Sequence, residues 1–478
     1  MKQYGGIFIM ALYVLAKQTN REFYRGNRRI YDRLIDAKHV DRTVSGTYSP
    51  LGTLYFTNDP ATYDPDCASR YVEWQPGINS FPCKIYDSSS YSSINRKNIV
   101  NIATFGGEYV KCPEDCTGMF SNMSLGYTPN SRREYSVWKQ WRRDDASSPW
   151  NQTVDNTTDR EYYSNIEINF GGFDFSETKI MTSLFENCIG DETSISFTDL
   201  TDPGYTMVVP PGQYCMKTYL DERYTFKINH ITFTGLAGWE TENVTDISRM
   251  FANIKWNQHS VNAYTGTFNV DGVNRFDFPN VTNAVNLFAN SNINITGVVL
   301  NIGGETVDLS YAFSNYKYVG NSDFIDMSKW NISATEGNLK SMFRNTNLKS
   351  IVLGSSLDNI IRSTENADTI NYLFCSDSTT SNLTSISVRA NTDWNTLNPN
   401  LTGYKMFLNC SKLPSFITEE TNISHANNIL SNGYFSAMPP EATTGNYIKK
   451  RVAGVERWLA SDMYFKTSEG WLRSEVYM

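Results

Sequence analysis

The residues able to carry chemistry are few and scattered. The four histidines, His39, His230, His259 and His425, stand apart from one another and from any H-E-x-x-H or zinc-like spacing. No Gly-rich phosphate loop opens a helix, and no Gly-x-Ser-x-Gly elbow occurs. Carboxylate neighbours such as Asp144-Asp145 do acid/base work only when apposed to a partner in space. Cys112-x-x-x-Cys116 lacks the second pair or nearby His that a zinc site takes. What remains is Trp138, Trp141 and Trp150 beside Arg142 and Arg143, which suit a stacking platform for a sugar or a partner protein. The alternative packs Trp138 and Trp141 inward from one helical face. The expectation is therefore a non-enzyme with no cofactor, no metal, and a candidate binding surface at Trp138, Trp141 and Arg142.

The elements that must position such a surface announce themselves by repetition. An aliphatic residue or Ala, then Phe, one variable residue and usually Asn recurs around Phe120, Phe185, Phe251, Phe288, Phe313, Phe343, Phe374 and Phe407. From Phe251 to Phe407 the spacings are 37, 25, 30, 31 and 33 residues, the period of a repeat array. Short runs rich in Ile, Val and Thr follow the phrase, as at residues 348–353, 383–388, 295–300 and 193–197, and read as one strand per repeat. A turn, a short helical or 3₁₀ segment and a strand make one unit. No unit buries its own apolar face, so the phenylalanines are expected to form one buried column. The recurring Asn supplies a donor and an acceptor at a turn. Arg344, one residue after Phe343, is expected to face solvent. A degenerate ninth copy ends at Ile429-Leu430-Ser431-Asn432.

The stretches NVTDISRMFAN (243–253), FDFPNVTNAVNLFAN (276–290) and FIDMSKWN followed by LKSMFRNTNLKSIVL (324–331 and 339–353) resemble the BspA-type leucine-rich repeats of bacterial surface proteins. The likeness covers about residues 165 to 435. It implies a mainly β fold with short helices: a leucine-rich-repeat-like solenoid at residues 165–440, between a β-rich, loop-heavy domain at 48–164 and a small β module at 441–478. Residues 1–47 are read as an attachment segment.

Length and composition agree with an elongated chain. At 478 residues it exceeds a single core, and with 19% charged and 14% aromatic residues, 29 of them Tyr, its surfaces should be Asn, Ser, Thr and Tyr. A net charge of -8 offers no electrostatic footprint for nucleic acid. Of the eight cysteines, Cys67 with Cys83 and Cys112 with Cys116 are local pairs, and an even count suits extracellular disulfides. Cys188 and Cys410 directly follow the repeat Asn, a place for a small buried thiol.

The two ends carry further resemblances. Residues 7–16 read as the core of a signal peptide, too short to span a bilayer; alternatively Met10 is the initiator and Ala11–Leu15 a first strand. Tyr24-Arg25-Gly26-Asn27-Arg28-Arg29-Ile30-Tyr31, in a predicted hairpin over 21–40, resembles N-terminal segments of bacteriophage virion proteins. The close of the chain, read as three short strands around Trp458–Ser461, Met463–Lys466 and Gly470–Leu472 with Glu475–Tyr477, is similar to the C-terminal module of many phage tail and capsid-associated proteins. These likenesses imply a virion fibre, decoration or tail-associated protein. It would touch other virion proteins through a terminal domain, meet a host cell-surface protein or glycan, and associate as a homo-oligomer. A secreted or cell-surface bacterial adhesin with the same repeats is the alternative.

Overall fold

A computed structural model describes residues 2–4, 7–9, 11–18, 52–77, 85–86, 91–92, 99–104, 109–125, 132–143, 151–162, 164–191, 194–195, 215–225, 228–257, 267–270, 275–295, 298–317, 324–377, 381–419, 421–438, 447–452, 455–460, 464–467 and 470–473. The hairpin expected over 21–40 and the strand Glu475–Tyr477 lie outside them. The described chain is mainly strands with a few short helices, and none of its sheets closes into a barrel. It divides into two compact units, Met1–Asn274 with Ser291–Val298, and Arg275–Asn290 with Val299–Met478.

In the first unit the apolar run near the start is a strand, Tyr13–Gln18, flanked by the buried Leu12 and burying its own Val14 and Leu15. It pairs antiparallel with Gly52–Thr57. From there Ile99–Thr104, Ser124–Leu125, Ile189–Asp191 and Lys255–Asn257 continue the sheet in parallel, one strand after another. A second parallel sheet runs through Ser164–Asn169, Ile228–Thr234, Thr267–Val270 and Ile293–Asn294. Residues on both sides of position 164 thus share this unit. Arg132–Arg143 is a twelve-residue strand lying between Asn151–Tyr162 and Cys215–Thr225, antiparallel to both.

The second unit carries the parallel sheet Phe324–Asp326, Ser350–Gly354, Ser385–Val388 and Phe435–Ala437. Its strands fall after the Phe phrases around 343 and 374, within the runs marked by Ile and Val. Three strands, Val455–Ala460, Tyr464–Thr467 and Gly470–Arg473, fall where the close of the chain was expected to carry them; the first pairs antiparallel with a further strand, Tyr447–Val452, and the other two pair with each other.

The phrases themselves form tight turns in which the backbone alternates. Asn122, Asn187, Asn253, Asn290, Asn315, Asn345 and Asn409 all sit in the left-handed region, with φ between 54 and 61°. So does the residue just before the aliphatic position: Gly118, Ser183, Arg249, Asn286, Tyr311, Ser341, Tyr372 and Lys405. Asn is the side chain other than Gly that best tolerates this conformation. The backbone therefore selects it, whereas its amide bonds differ from turn to turn.

The alternation aims successive peptides in opposite directions. In one turn the N–H groups of Ser341, Phe343 and Asn345 donate to the carbonyls of Asn371, Leu373 and Cys375 in the next, at 3.0, 2.8 and 2.8 Å. Those between them, Met342 and Arg344, donate three residues back to Leu339 and Ser341. The same scheme joins Gly118, Phe120 and Asn122 to Thr182, Leu184 and Glu186 in the first unit. Each left-handed residue costs about 1–2 kcal/mol. Three hydrogen bonds per turn at about 0.5–1.5 kcal/mol each, with a buried Phe at about 1.5–3 kcal/mol, offset that strain.

The turns bring the Phe rings face to face. Phe120, Phe185 and Phe251 stack at 5.4 and 5.3 Å in the first unit. In the second, Phe288, Phe313, Phe343, Phe374 and Phe407 stack at 5.1, 5.2, 5.6 and 5.6 Å, all buried. A perpendicular ring closes one end of each stack. Phe56 meets Phe120 edge-on at 74°, and Tyr434 meets Phe407 at 87°. The ninth copy does not join the column: Leu430, in the place of Phe, is 56% exposed, and Tyr434 and Phe435 cover the column's end instead.

Asn290 is exposed, and among the described residues none makes a side-chain hydrogen bond with it. Asn290→Gly should leave the urea midpoint unchanged or raised, while Asn290→Ala lowers stability by about 1 kcal/mol through the left-handed backbone alone. Equal midpoints for the two variants would remove backbone conformation as the reason for Asn.

Candidate functional site

The helical face from which Trp138 and Trp141 were to pack inward is not formed. Trp138, Trp141 and Arg142 lie on the strand Arg132–Arg143, opposite Asn156, Gln152 and Asn151 on one side and Leu220, Lys217 and Met216 on the other. A spacing of three that aligns residues on a helix has no such meaning at a strand's period of two. Trp150, Asp144-Asp145, His39 and His259 lie outside the described residues. His425 is buried, with Nδ1 2.9 Å from the Asn432 carbonyl and its ring stacked on Tyr434. Among the described residues no three His, Cys, Asp or Glu side chains converge as a metal site.

Cysteines occupy one defined place in the turns. Only alternate carbonyls enter the ladder between turns, and the Phe carbonyl is not one of them. The residue after Asn in the next turn reaches it. Cys188 Sγ donates to the Phe120 carbonyl at 3.2 Å, Ser291 Oγ to Phe251 at 2.8 Å, and Cys410 Sγ to Phe374 at 3.0 Å. Cys112, Cys116, Cys188, Cys375 and Cys410 are all buried free thiols. Burial pushes the Cys410 and Cys375 thiols up to about 12.

The second unit's turns bring a set of polar and aromatic groups together at the surface. Arg344, expected to face solvent freely, is held by Asp377: Nε lies 3.0 and 2.8 Å from its two carboxylate oxygens and Nη2 2.8 Å from Oδ1. Asn345 braces the same carboxylate, donating from Nδ2 at 2.8 Å and accepting the Asp377 N–H at 2.8 Å. The guanidinium also lies over the Tyr372 ring, 5.4 Å from its centroid. Tyr372 meets Tyr404 edge-on at 5.5 Å, and Lys405 Nζ stands 5.1 Å from the Tyr404 centroid. Hydrogen bonds from Arg344 hold the Asp377 carboxyl below its ordinary range.

Arg344, Asn345, Tyr372 and Lys405 are placed by the backbone scheme. Tyr372 and Lys405 occupy the left-handed position ahead of the aliphatic residue, and Arg344 the variable position after Phe. The sequence signal was available one residue upstream of each phrase, where Tyr311 and Tyr372 recur. Position 377 was not legible, because it follows the turn that lacks Asn.

The first unit uses the corresponding places for a different purpose. Glu186, in the variable position, is buried and takes Arg249 Nε at 3.0 Å, a second bond from Arg249 Nη2, and Asn253 Nδ2 at 3.1 Å. Burial raises its carboxyl, but the hydrogen bonds from Arg249 and Asn253 and the Arg249 charge outweigh this and leave it below the ordinary value. The charge is satisfied locally, so this pair is structural. An open cavity of about 550 Å³ lies beside Ala11, Tyr13, Asn58, Asp59, Pro60, Ala61 and Ala68. Its polar groups are engaged: Asp59 caps the turn at Thr62, and Asn58 clamps the backbone of Ala11 and Lys111. The chain matches no family model, no curated protein and no solved structure.

Two outcomes are expected. Glu186→Gln should lower the urea midpoint at pH 7 by the equivalent of about 1.5–3 kcal/mol. A carboxyl held low stabilises above the unfolded value of 4.5, so the gap between wild type and Glu186→Gln should close as pH falls below that value; a gap constant from pH 7 to 3 would contradict the ion pair. Separately, Cys410→Ser should match wild type in stability, as Ser291 does the same task, whereas Cys410→Ala loses about 0.5–1.5 kcal/mol. Native Cys410 should resist iodoacetamide at pH 8 and react after urea, read by mass spectrometry.

Proposed function

We propose that this chain is a non-enzymatic structural and binding protein of a bacteriophage particle, a fibre, decoration or tail-associated component. In this reading the turns are coils of a BspA-like, leucine-rich-repeat-like solenoid that displays a surface for host attachment. The observation that carries it is the hydrogen-bonding scheme shared by most of the turns, with the Phe and the aliphatic residue before it buried in every one. Such an arrangement separates what holds the fold from what meets a partner. Among the described residues no helix is long and apolar enough to cross a membrane.

The resemblances of the two ends to virion segments support the phage assignment, and so do the five buried thiols, which suit maturation in a reducing cell interior. In this reading other virion proteins are the partners of a terminal region, and a host protein or glycan is the partner of the turns. Purified particles should contain the chain by mass spectrometry, and the soluble chain should compete with particles for adsorption to host cells. Finding it instead in the medium of uninfected bacteria, with disulfide-linked cysteines, would establish the secreted adhesin.

A further inference from the structure

The geometry points to the stripe Arg344, Tyr372, Tyr404 and Lys405 as a subsite for an anionic saccharide chain, an inference that rests on the attachment reading above. Three features select this chemistry. The first is charge. Arg344 and Lys405 against Asp377 leave one positive charge in excess, on a protein whose net charge is -8. Asp377 is already saturated by Arg344 and Asn345, so it anchors the guanidinium and does not repel an incoming anion. A guanidinium has five N–H donors, and Asp377 engages only Nε and one terminal nitrogen.

The second feature is the aromatic component. Tyr404 is 50% exposed and stands edge-on to Tyr372, offering an apolar surface and a hydroxyl one rung apart from its neighbour. Rings beside cations bind amphipathic ligands whose one face is C–H and whose other is polar, which is the character of a pyranose. The third is extent. The stripe draws on three successive turns whose Phe343, Phe374 and Phe407 rings stand 5.6 Å apart, so a ligand that meets all of its members must be longer than one sugar. A polymer bearing one anion per sugar or two fits that spacing, and a small isolated anion would use only one rung.

The anion can be a carboxylate or a phosphodiester, and the test distinguishes them. Immobilised full-length protein is titrated with polygalacturonate, with a ribitol phosphate polymer and with neutral dextran. Wild type should bind at least one of the two anionic polymers and not dextran. Lys405→Glu and Tyr404→Ala should each weaken that binding at least tenfold, with Lys405→Arg close to wild type. Lys111→Glu, the same charge change on an exposed residue of the first unit, should have no comparable effect. Unchanged thermal midpoints identify the variants as folded. Equal losses in Lys405→Glu and Lys111→Glu, binding of dextran as strong as of the anionic polymers, or no binding to any of the three would overturn the subsite. Adsorption competition separates this from the broader reading: if soluble Lys405→Glu and Tyr404→Ala proteins still block particles as wild type does, the stripe is wrong and attachment stands; if wild type itself fails to compete, attachment is wrong.

Discussion

The left-handed residues of the turns are the constraint on which the rest depends. Seven of the eight turns carry two of them and the Phe374 turn one, at Tyr372; they reverse the peptide direction within five residues, so that alternate N–H groups leave toward the next turn and the intervening ones close locally. Without that reversal the carbonyls and amides would point both ways, and a backbone packed this tightly would bury unpaired polar groups. The Phe rings stack because the backbone ladder sets their distance. Ring attraction then reinforces a spacing already fixed by hydrogen bonds.

The repeat and its inward residues were legible because they depend on identity alone: a Phe every 25 to 37 residues is visible without coordinates. The reason for Asn was less so. A residue of its type suits both a side-chain bond and a left-handed backbone, and only φ discriminates between them. The ends of the columns were illegible for a different reason. Phe56 and Tyr434 lie outside the phrase, and nothing in their neighbours marks a ring that turns perpendicular to close a stack. Leu430 shows the converse, a residue that fits the phrase and yet is left in solvent.

The outward stripe escaped notice because its members come from different positions in different turns. Arg344 follows one Phe, Tyr372 precedes another by two residues, and Asp377 lies beyond a turn whose Asn is replaced by Ser376. Proximity across turns, about thirty residues apart in sequence, is what assembles them. The tryptophans drew attention instead because they are adjacent in the chain. On a strand of twelve residues that adjacency carries none of the meaning it has on a helix.

Each turn between Asn286 and Asn409 presents nearly the same donors to its successor and the same acceptors to its predecessor. The turns are therefore interchangeable at the level of the backbone, since any one can follow any other. A gene encoding such a series tolerates unequal crossing-over: gaining or losing a segment of about thirty codons adds or removes a rung without disturbing its neighbours. The perpendicular rings at Tyr434 and Phe435 are exempt from this freedom, because a stopper works only at a terminus. Variation in length should accumulate inside the series, with the closing segment staying fixed.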